Sequence, residues 1–312
     1  MKRAAISNFF LFISALITLV VCVGCQESQK DLPTKGHTTM MASDDVYPVI
    51  KKEVDEFQGM YDQAHVKLLE SSARDAVVQL LNDSVKVIAV ARDLNDEERD
   101  VIKKYSLNVE TYKIAYDGAV VLVNEHNILS QITVEQLKKI LLGDFKLWSN
   151  VGAKGNGSRI VVAIGGPNSG MYEYINARIT EGKPFASVIM PCASNEKVIE
   201  YVARHSNALG FVAQAYVDSA PPKTRILAVG DPNFKRDSTS PRLEYFQPYQ
   251  AYIYQKYYPL CRTIYVFRND PTEGVSLGIT AFIAGAAGQK IFLSSGLVPA
   301  TMPVRLVHIQ SQ

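Results

Sequence analysis

The alternation of apolar, strand-like runs with amphipathic, helix-like runs is the feature that most limits how this chain can fold. The runs "HVKLLES", "VKVIAVA" and "RIVVAI" are typical of buried strands, and helix-like runs such as "YPVIKKEVDEF" and "DLNDEERDVIKKYSL" separate them. Strands that alternate with helices of this length favour a largely parallel sheet with helices on both faces. The sequence therefore predicts an α/β protein, and its 312 residues suffice for two domains or one large one.

Composition and charge exclude several classes of protein. Apolar residues make up 47% of the chain and charged residues 21%, as in an ordinary globular protein. The formal net charge is only +2, and the basic residues are interleaved with acidic ones instead of forming a stripe. We therefore expect no nucleic-acid partner.

The N-terminus has the pattern of an export signal. A basic start, Met1–Arg3, precedes the apolar run "NFFLFISALITLVVCVG", which ends at Gly24 before Cys25. This pattern resembles a bacterial lipoprotein signal, so we predict a signal peptide over residues 1–24, lipidation of Cys25 and a polar tether over residues 25–38. The protein would then be anchored to a bacterial membrane and face the periplasm. A retained transmembrane span, which needs about 20 apolar residues, is the alternative.

The cysteines and histidines form no familiar catalytic or metal-binding pattern. Cys192 and Cys261 would remain in the mature chain, either as a pair or, as we favour, as two isolated buried thiols. The five histidines are dispersed without HExxH spacing, and "GPNSGM" lacks the GxSxG pattern of a serine hydrolase. The sequence therefore predicts no metal, no cofactor and no enzymatic activity.

Four segments give specific structural expectations. The pair Thr133 and Gln136 forms a capping-box pattern at a helix start. Residues 251–267 show aromatic alternation and predict a strand, whereas residues 274–296 predict a single helix of small residues that ends at a glycine. Residues 218–248 are rich in Pro, Asp, Ser and Lys and predict a long loop.

The stretch "VVAIGGPNSGMYEYINARI" predicts a buried strand, a glycine-rich turn and a helix that begins near Ser169 and Gly170. A helix N-terminus exposes unpaired N–H groups and the positive end of the helix dipole, so this turn can bind an anion. The alternative is that Asn168 or Ser169 only caps its own helix. The residues alone favour the cap.

The order of several segments resembles a known family. "YDGAVVLVNEHNILSQITVEQLKKILLGDFKLWSNVG" is similar to a stretch of the PstS-type phosphate-binding proteins of ABC transporters, and "GGPNSGMYEYI" falls where that family has its Ser-Gly-Thr phosphate loop. "NALGFVA" and "YPLCRTIYV" follow in the family's order, and "ASDDVYPVIKKEVDEF" looks like its first ligand loop and helix.

The resemblance implies a two-lobed periplasmic-binding-protein-like fold of type II, in which each lobe is a mainly parallel sheet flanked by helices. Two crossing strands would form the hinge. Lobe one would comprise residues 39–113 plus 249–312, and lobe two residues 114–248. Such proteins deliver a solute to an ABC permease and ATPase and perform no chemistry. Nothing in the pattern demands a dimer, so we expect a monomer.

The resemblance also implies a set of ligand-binding residues on the loops that would face the cleft. They are Ser43, Asp44, Ser72, Arg74, Arg92, Asp117, Asn168, Ser169, Gly170 and Met171. Arg74, Arg92 and Asp117 could instead have purely structural roles. Arg74 would then be an ordinary residue on a helix surface, and Arg92 would pair with an acid such as Glu97. Asp117 would stabilise a turn through hydrogen bonds.

The chain departs from the family at several of these positions. Gly165 stands where the family has an arginine that clamps phosphate, and Met171 replaces a hydroxyl residue. Asp44 and Asp45 stand where small or hydroxyl residues are usual. Two hypotheses follow: a receptor for phosphate or a related small oxyanion, or a binding-protein fold repurposed as an envelope sensor or interaction module with a different ligand or none.

Overall fold

The computed structural model describes residues 32–153, 155–217, 221–234 and 243–303. The predicted signal peptide and the lipidation site at Cys25 lie outside these residues. In chain order the elements are β1 (Gly36–Ser43), α1 (Tyr47–Met60), β2 (Ala64–Ser71), α2 (Ala73–Leu81), β3 (Val87–Val90), α3 (Asp96–Tyr105), β4 (Glu110–Asn124), β5 (Gln131–Thr133), α4 (Val134–Leu141), β6 (Val161–Gly165), α5 (Gly170–Ile179), β7 (Val188–Cys192), α6 (Asn195–Arg204), β8 (Ala208–Ala213), β9 (Thr224–Ile226), β10 (Ala228–Gly230), α7 (Gln250–Tyr254), β11 (Cys261–Arg268), α8 (Val275–Ala284), α9 (Ala286–Ser294) and β12 (Val298–Pro299).

The main sheet has the strand order β2-β1-β3-β11-β4-β8-β6-β7, with β9 and β12 paired to β4. At one end β1 runs parallel to β2 and β3, and at the other β6 runs parallel to β7 and β8. The two central strands, β11 and β4, are antiparallel to their neighbours. This arrangement confirms the predicted two-lobed α/β fold.

Strand β4 belongs to both lobes. Its 15 residues pair with β11 from Glu110 to Gly118 and with β8 from Ala119 to Val123. In the second half, Val121 packs in one apolar cluster and the adjacent Val120 in another. Side chains on a strand alternate between faces, so this half of the sheet has a hydrophobic core on both sides. The cleft between the lobes is therefore anchored on one continuous strand.

Local sequence signals account for most helix starts. The predicted capping box forms at Thr133, whose hydroxyl accepts from the Gln136 N–H at 3.0 Å. Asn95 caps α3 in the same way with Glu98. These caps satisfy N–H groups that would otherwise lack partners at the helix end.

The predicted single helix over residues 274–296 is wrong. The structure has α8 and α9, which meet at an angle of 57°. Gly285 between them has an extended conformation, with φ of −82° and ψ of 174°, so the helical hydrogen bonds stop there. No single helix among the described residues is long and apolar enough to cross a membrane, although this bent pair would pass that test by length and composition.

Three other expectations also need correction. Residues 250–254 form helix α7, because Ile253 donates its N–H to the Tyr249 carbonyl at 3.0 Å, and a strand begins only at Cys261. The predicted loop over residues 218–248 contains the short strands β9 and β10. The predicted tether overlaps β1, since Gly36 already pairs with Ala64 of β2. By contrast, the favoured prediction that Cys192 and Cys261 are unpaired is confirmed, although each thiol is only partly buried.

The side chain of Glu53 on α1 is fully buried, and neither of its carboxyl oxygens has a hydrogen-bond partner among the described residues. A Cβ at Gly288 of α9 would lie 2.6 Å from Oε2, so only glycine leaves room there. Burial raises the pKa of Glu53 to about 9. The folded protein therefore holds this carboxyl protonated at neutral pH.

We predict that Glu53→Gln stabilises the protein at pH 7.5. Between pH 4.5 and about 9 the folded state binds the Glu53 proton and the unfolded state does not, so stability falls as the pH rises. The neutral amide introduced by Glu53→Gln does not titrate, so it removes this loss of folding stability, which is on the order of 1 to 3 kcal/mol. Urea denaturation at several pH values measures it, with Glu56→Gln on the exposed face of α1 as the control. Equal effects of the two variants would contradict the assignment.

Candidate ligand-binding site

A pocket of about 480 Å³ opens between the two lobes. Lobe one contributes residues at or just after the ends of β1 and β2, and lobe two contributes residues at or just after the ends of β6 and β7. The lining residues are Asp44, Glu70, Ser71, Ser72, Gly165, Gly166, Pro167, Asn168, Ser169, Cys192 and Ala193. These are the carboxyl ends of parallel strands, where ligands bind in open α/β sheets.

Two helices begin at this pocket. Ser72 caps α2 by accepting from the Asp75 N–H at 3.1 Å, and Ser169 caps α5 by accepting from the Tyr172 N–H at 3.2 Å. Ser72 donates its own proton to the Asp75 carboxylate. No hydrogen bond donated by the Ser169 hydroxyl is found among the described residues. Two positive helix ends and one hydroxyl donor therefore face this pocket.

The turn before α5 folds back closely on itself. The Ser169 N–H donates to the Gly166 carbonyl at 2.9 Å. A Cβ at Gly165 would lie only 2.5 Å from the Ser169 hydroxyl oxygen. In this backbone conformation a larger residue such as arginine at position 165 would require Ser169 to move.

Two carboxylates make the pocket acidic. Burial, and then the neighbouring Asp45, raise the pKa of Asp44 to about 7, and burial followed by Glu196 raises that of Glu70. The Oδ1 atom of Asp44 is buried without a hydrogen-bond partner among the described residues. No lysine or arginine is among the described residues that line the pocket. A ligand here meets hydrogen-bond acceptors on the lobe-one side.

A buried charge cluster lies beside the pocket. Arg262 of β11 donates from Nε and Nη2 to the two oxygens of Asp117, at 3.0 and 2.5 Å, and from Nη1 to Asp45 Oδ2 at 2.5 Å. Ser43 donates to the other oxygen of Asp45 at 2.5 Å. All three charged side chains are fully buried. Burial opposes the charge of Arg262, but Asp117 and Asp45 outweigh it and raise the pKa of the guanidinium.

Direct contacts join the lobes around the pocket. Arg92 forms a bidentate pair with Glu98 in lobe one, with both distances 2.8 Å, and its Nε lies 2.5 Å from Glu173 Oε2 in lobe two. Tyr216 donates its hydroxyl to the Asp44 carbonyl at 2.5 Å. The Asn195 amide donates to the Asp44 carboxylate at 3.4 Å.

The predicted site residues fall into three groups. Asp44, Ser72, Asn168 and Ser169 line one pocket. Ser43 and Gly170 lie next to it, on either side of the Asp45 carboxylate. The others are outside the lining: Arg74 is exposed, Arg92 is paired with Glu98 and Glu173, Asp117 is paired with Arg262, and Met171 is packed in the lobe-two core.

The sequence prediction missed Glu70, Asp45 and Arg262. A signal for Arg262 was present, because a charged residue within the apolar run "YPLCRTIYVF" must have a buried partner. That partner, Asp117, lies directly opposite in the register of β11 and β4.

A second, larger cavity of about 850 Å³ lies near the central strands β4 and β11, where Tyr116, Tyr254 and Tyr257 are among its lining residues. Phe234 and Pro303 at its border adjoin chain segments outside the described residues. Helix N-termini converge on the interlobe pocket, which is why we assign the ligand site there.

We predict that Arg262→Met lowers the free energy of unfolding by about 3 to 5 kcal/mol, because two buried carboxylates lose their cation. Urea denaturation at pH 7.5 measures this loss, which should shrink at lower pH because burial raises the pKa of Asp117 and favours its protonation. Arg204→Met is the control, since Arg204 pairs with Glu200 on an exposed helix face. Losses of similar size in both variants would contradict the role of the cluster.

Comparisons with known proteins agree with this architecture. A family model described as a PBP superfamily domain matches residues 27–286. The chain is 23% identical over 274 residues to Protein SphX of Synechococcus elongatus, covering 86% of this chain and 77% of the relative. It is 19% identical over 259 residues to the phosphate-binding protein PstS of Staphylococcus aureus, covering 83% of this chain and 76% of the relative.

Solved structures show the same fold. A putative phosphate ABC transporter substrate-binding protein of Clostridium perfringens superimposes with a TM-score of 0.70 at 20% identity, over 85% of this chain and 100% of the other. An ABC-type phosphate transport receptor of Vibrio cholerae superimposes with a TM-score of 0.65 at 17% identity, over 85% of this chain and 100% of the other. The family match, which spans most of the chain, and the two lobes joined by β4 show that this chain belongs to the PBP superfamily.

Proposed function

We propose that this protein is the solute-binding component of an ABC importer and that it binds a small oxyanion in the interlobe pocket, with hydrogen phosphate as the candidate. The convergence of the α2 and α5 N-termini on one pocket carries the proposal. Backbone N–H groups and a serine hydroxyl can bind an oxyanion without a cationic side chain. The protein would bind and release its ligand unchanged.

The relatives support this choice of ligand class. The matched Staphylococcus aureus protein is named for phosphate binding, and the Clostridium perfringens structure is described with bound phosphate. By the same argument the partners would be an ABC permease and ATPase. The sequence pattern at Cys25 supports attachment by lipid to a bacterial membrane, with the protein facing the periplasm.

The carboxylates in the pocket favour a protonated anion. Asp44 and Glu70 accept hydrogen bonds when ionised, so a ligand that carries its own protons can pair with them. Sulfate carries none at neutral pH, and its oxygens would face the carboxylates directly. At an effective dielectric constant near 20, two like charges 4 Å apart repel by about 4 kcal/mol. The pocket should therefore bind hydrogen phosphate in preference to sulfate.

The acidic lining also favours a second candidate function, a binding-protein fold repurposed as an envelope sensor or interaction module. Two carboxylates and no basic side chain among the described lining residues suit a ligand that donates hydrogen bonds. Such a protein would bind phosphate poorly.

We predict that the full chain binds phosphate measurably in isothermal titration calorimetry and that Ser169→Ala weakens this binding by about 1 to 3 kcal/mol, because a hydroxyl donor is lost. Thr133→Ala is the control, since it removes the N-cap of α4 without changing the pocket. An absence of heat and of thermal stabilisation at millimolar phosphate would exclude the receptor and favour the second function. Equal affinities of the two variants would restrict Ser169 to its capping role.

We predict that phosphate affinity falls as the pH rises from 6 to 8. The pKa of Asp44 is about 7, and an anion beside it raises that pKa further, so binding takes up a proton and is favoured at low pH. Asp44→Asn should flatten this dependence and allow sulfate to bind. Titrations at three pH values with both anions test this, and Glu135→Gln, at an exposed position of α4, is the control. A variant as selective as the wild type would contradict it.

A further inference from the structure

The side chain of Asp45 is placed unusually for a protein that binds an anion. It follows β1 in lobe one, and its Oδ2 atom would lie 2.7 Å from a Cβ on Gly170, the first residue of α5 in lobe two. Gly170 thus permits a carboxylate to lie directly against the start of a helix. Ser43 and Arg262 bind the same carboxylate. A helix start, a hydroxyl and a guanidinium are the groups that would bind an oxyanion.

We propose that Asp45 is an internal anion that determines which ligands the cleft accepts: its carboxylate occupies the position of an oxyanion at the α5 N-terminus and joins the two lobes there. The first half of this proposal rests on the proposed function. The second half, the link between the lobes, stands on the contacts of Asp45 alone.

The charges of the cluster explain the effect on affinity. Arg262 supplies one positive charge, and Asp45 and Asp117 supply two negative charges, so the buried cluster has a formal charge of −1. An oxyanion at the α5 N-terminus must displace the Asp45 carboxylate and then remain near it. With an uncharged residue at position 45, the guanidinium and Asp117 balance each other, and the helix start becomes available.

The same contacts explain the link between the lobes. Asp45 reaches α5 from the loop after β1, next to Asp44, whose carbonyl accepts from Tyr216 of lobe two. The Arg74 N–H donates to the Asn168 carbonyl across the cleft at 3.4 Å, and Arg92 pairs with Glu173. Among these ties, that of Asp45 is made against Gly170, the first residue of α5. Loss of its charge should therefore loosen the turn before α5 more than the rest of lobe two.

Phosphate titration of the full chain in detergent tests the proposal with Asp45→Asn, which preserves shape, and Asp45→Ser, which supplies a hydroxyl. We expect both variants to bind phosphate at least tenfold more tightly than the wild type. Asp55→Asn is the matched control, because Asp55 is an exposed residue of α1 paired with Lys51. If one of these two variants folds poorly, the other still tests the proposal. If the wild type binds phosphate and both variants bind it equally or more weakly, the role of Asp45 in determining the ligand is overturned while the proposed function stands.

Hydrogen–deuterium exchange without phosphate gives the second readout. We expect peptides that cover residues 166–172 to exchange faster in Asp45→Asn than in the wild type or in Asp55→Asn, with little change elsewhere in lobe two. If none of the proteins binds phosphate, the proposed function fails, and faster exchange in this segment alone would still support the link between the lobes. Unchanged exchange would overturn the link.

Discussion

The pairing of Arg262 with two carboxylates is the interaction on which the geometry of the cleft depends. Removing a charge from water costs several kcal/mol, so each buried group requires its partners. Asp117 lies on the shared strand β4, Arg262 on β11, and Asp45 on the loop after β1. The pairing therefore fixes the first cleft loop against the two central strands. Because Asp45 also contacts Gly170, it fixes that loop against lobe two.

The position of the pocket follows from the direction of the strands. Strands β1 and β2 in lobe one and β6 and β7 in lobe two all end at the cleft, and the residues just after them line it. A helix follows each of β2 and β6 after a short turn, so its N-terminus points into the same space. The sheet topology alone thus brings backbone N–H groups from two lobes together, whatever side chains the loops have.

Local patterns in the sequence predicted much of this fold. Hydrophobic periodicity predicted the alternating strands and helices, and short-range cap signals placed the starts of α4 and α5. The prediction failed where the structure depends on contacts between residues that are far apart in the sequence. Asp45 and Arg262 are 217 positions apart, and no periodicity connects them. The break at Gly285 was missed because the small apolar residues on both sides are equally suited to one helix. The resemblance placed Asp44, Ser72 and Ser169 near one another, but it could not show that Arg92 is occupied by Glu98 and Glu173.

By the resemblance described above, Gly165 would stand in place of a cation, and Asp44 and Asp45 in place of neutral residues. All three changes would make the cleft more negative. They are compatible with one another: glycine at position 165 lets Ser169 fold back, and Asp45 binds Arg262. A fold does not define its ligand, because the groups in the site do. The lining of this pocket combines the carboxylates of Asp44 and Glu70 with the N-termini of α2 and α5, so it presents hydrogen-bond acceptors beside backbone donors.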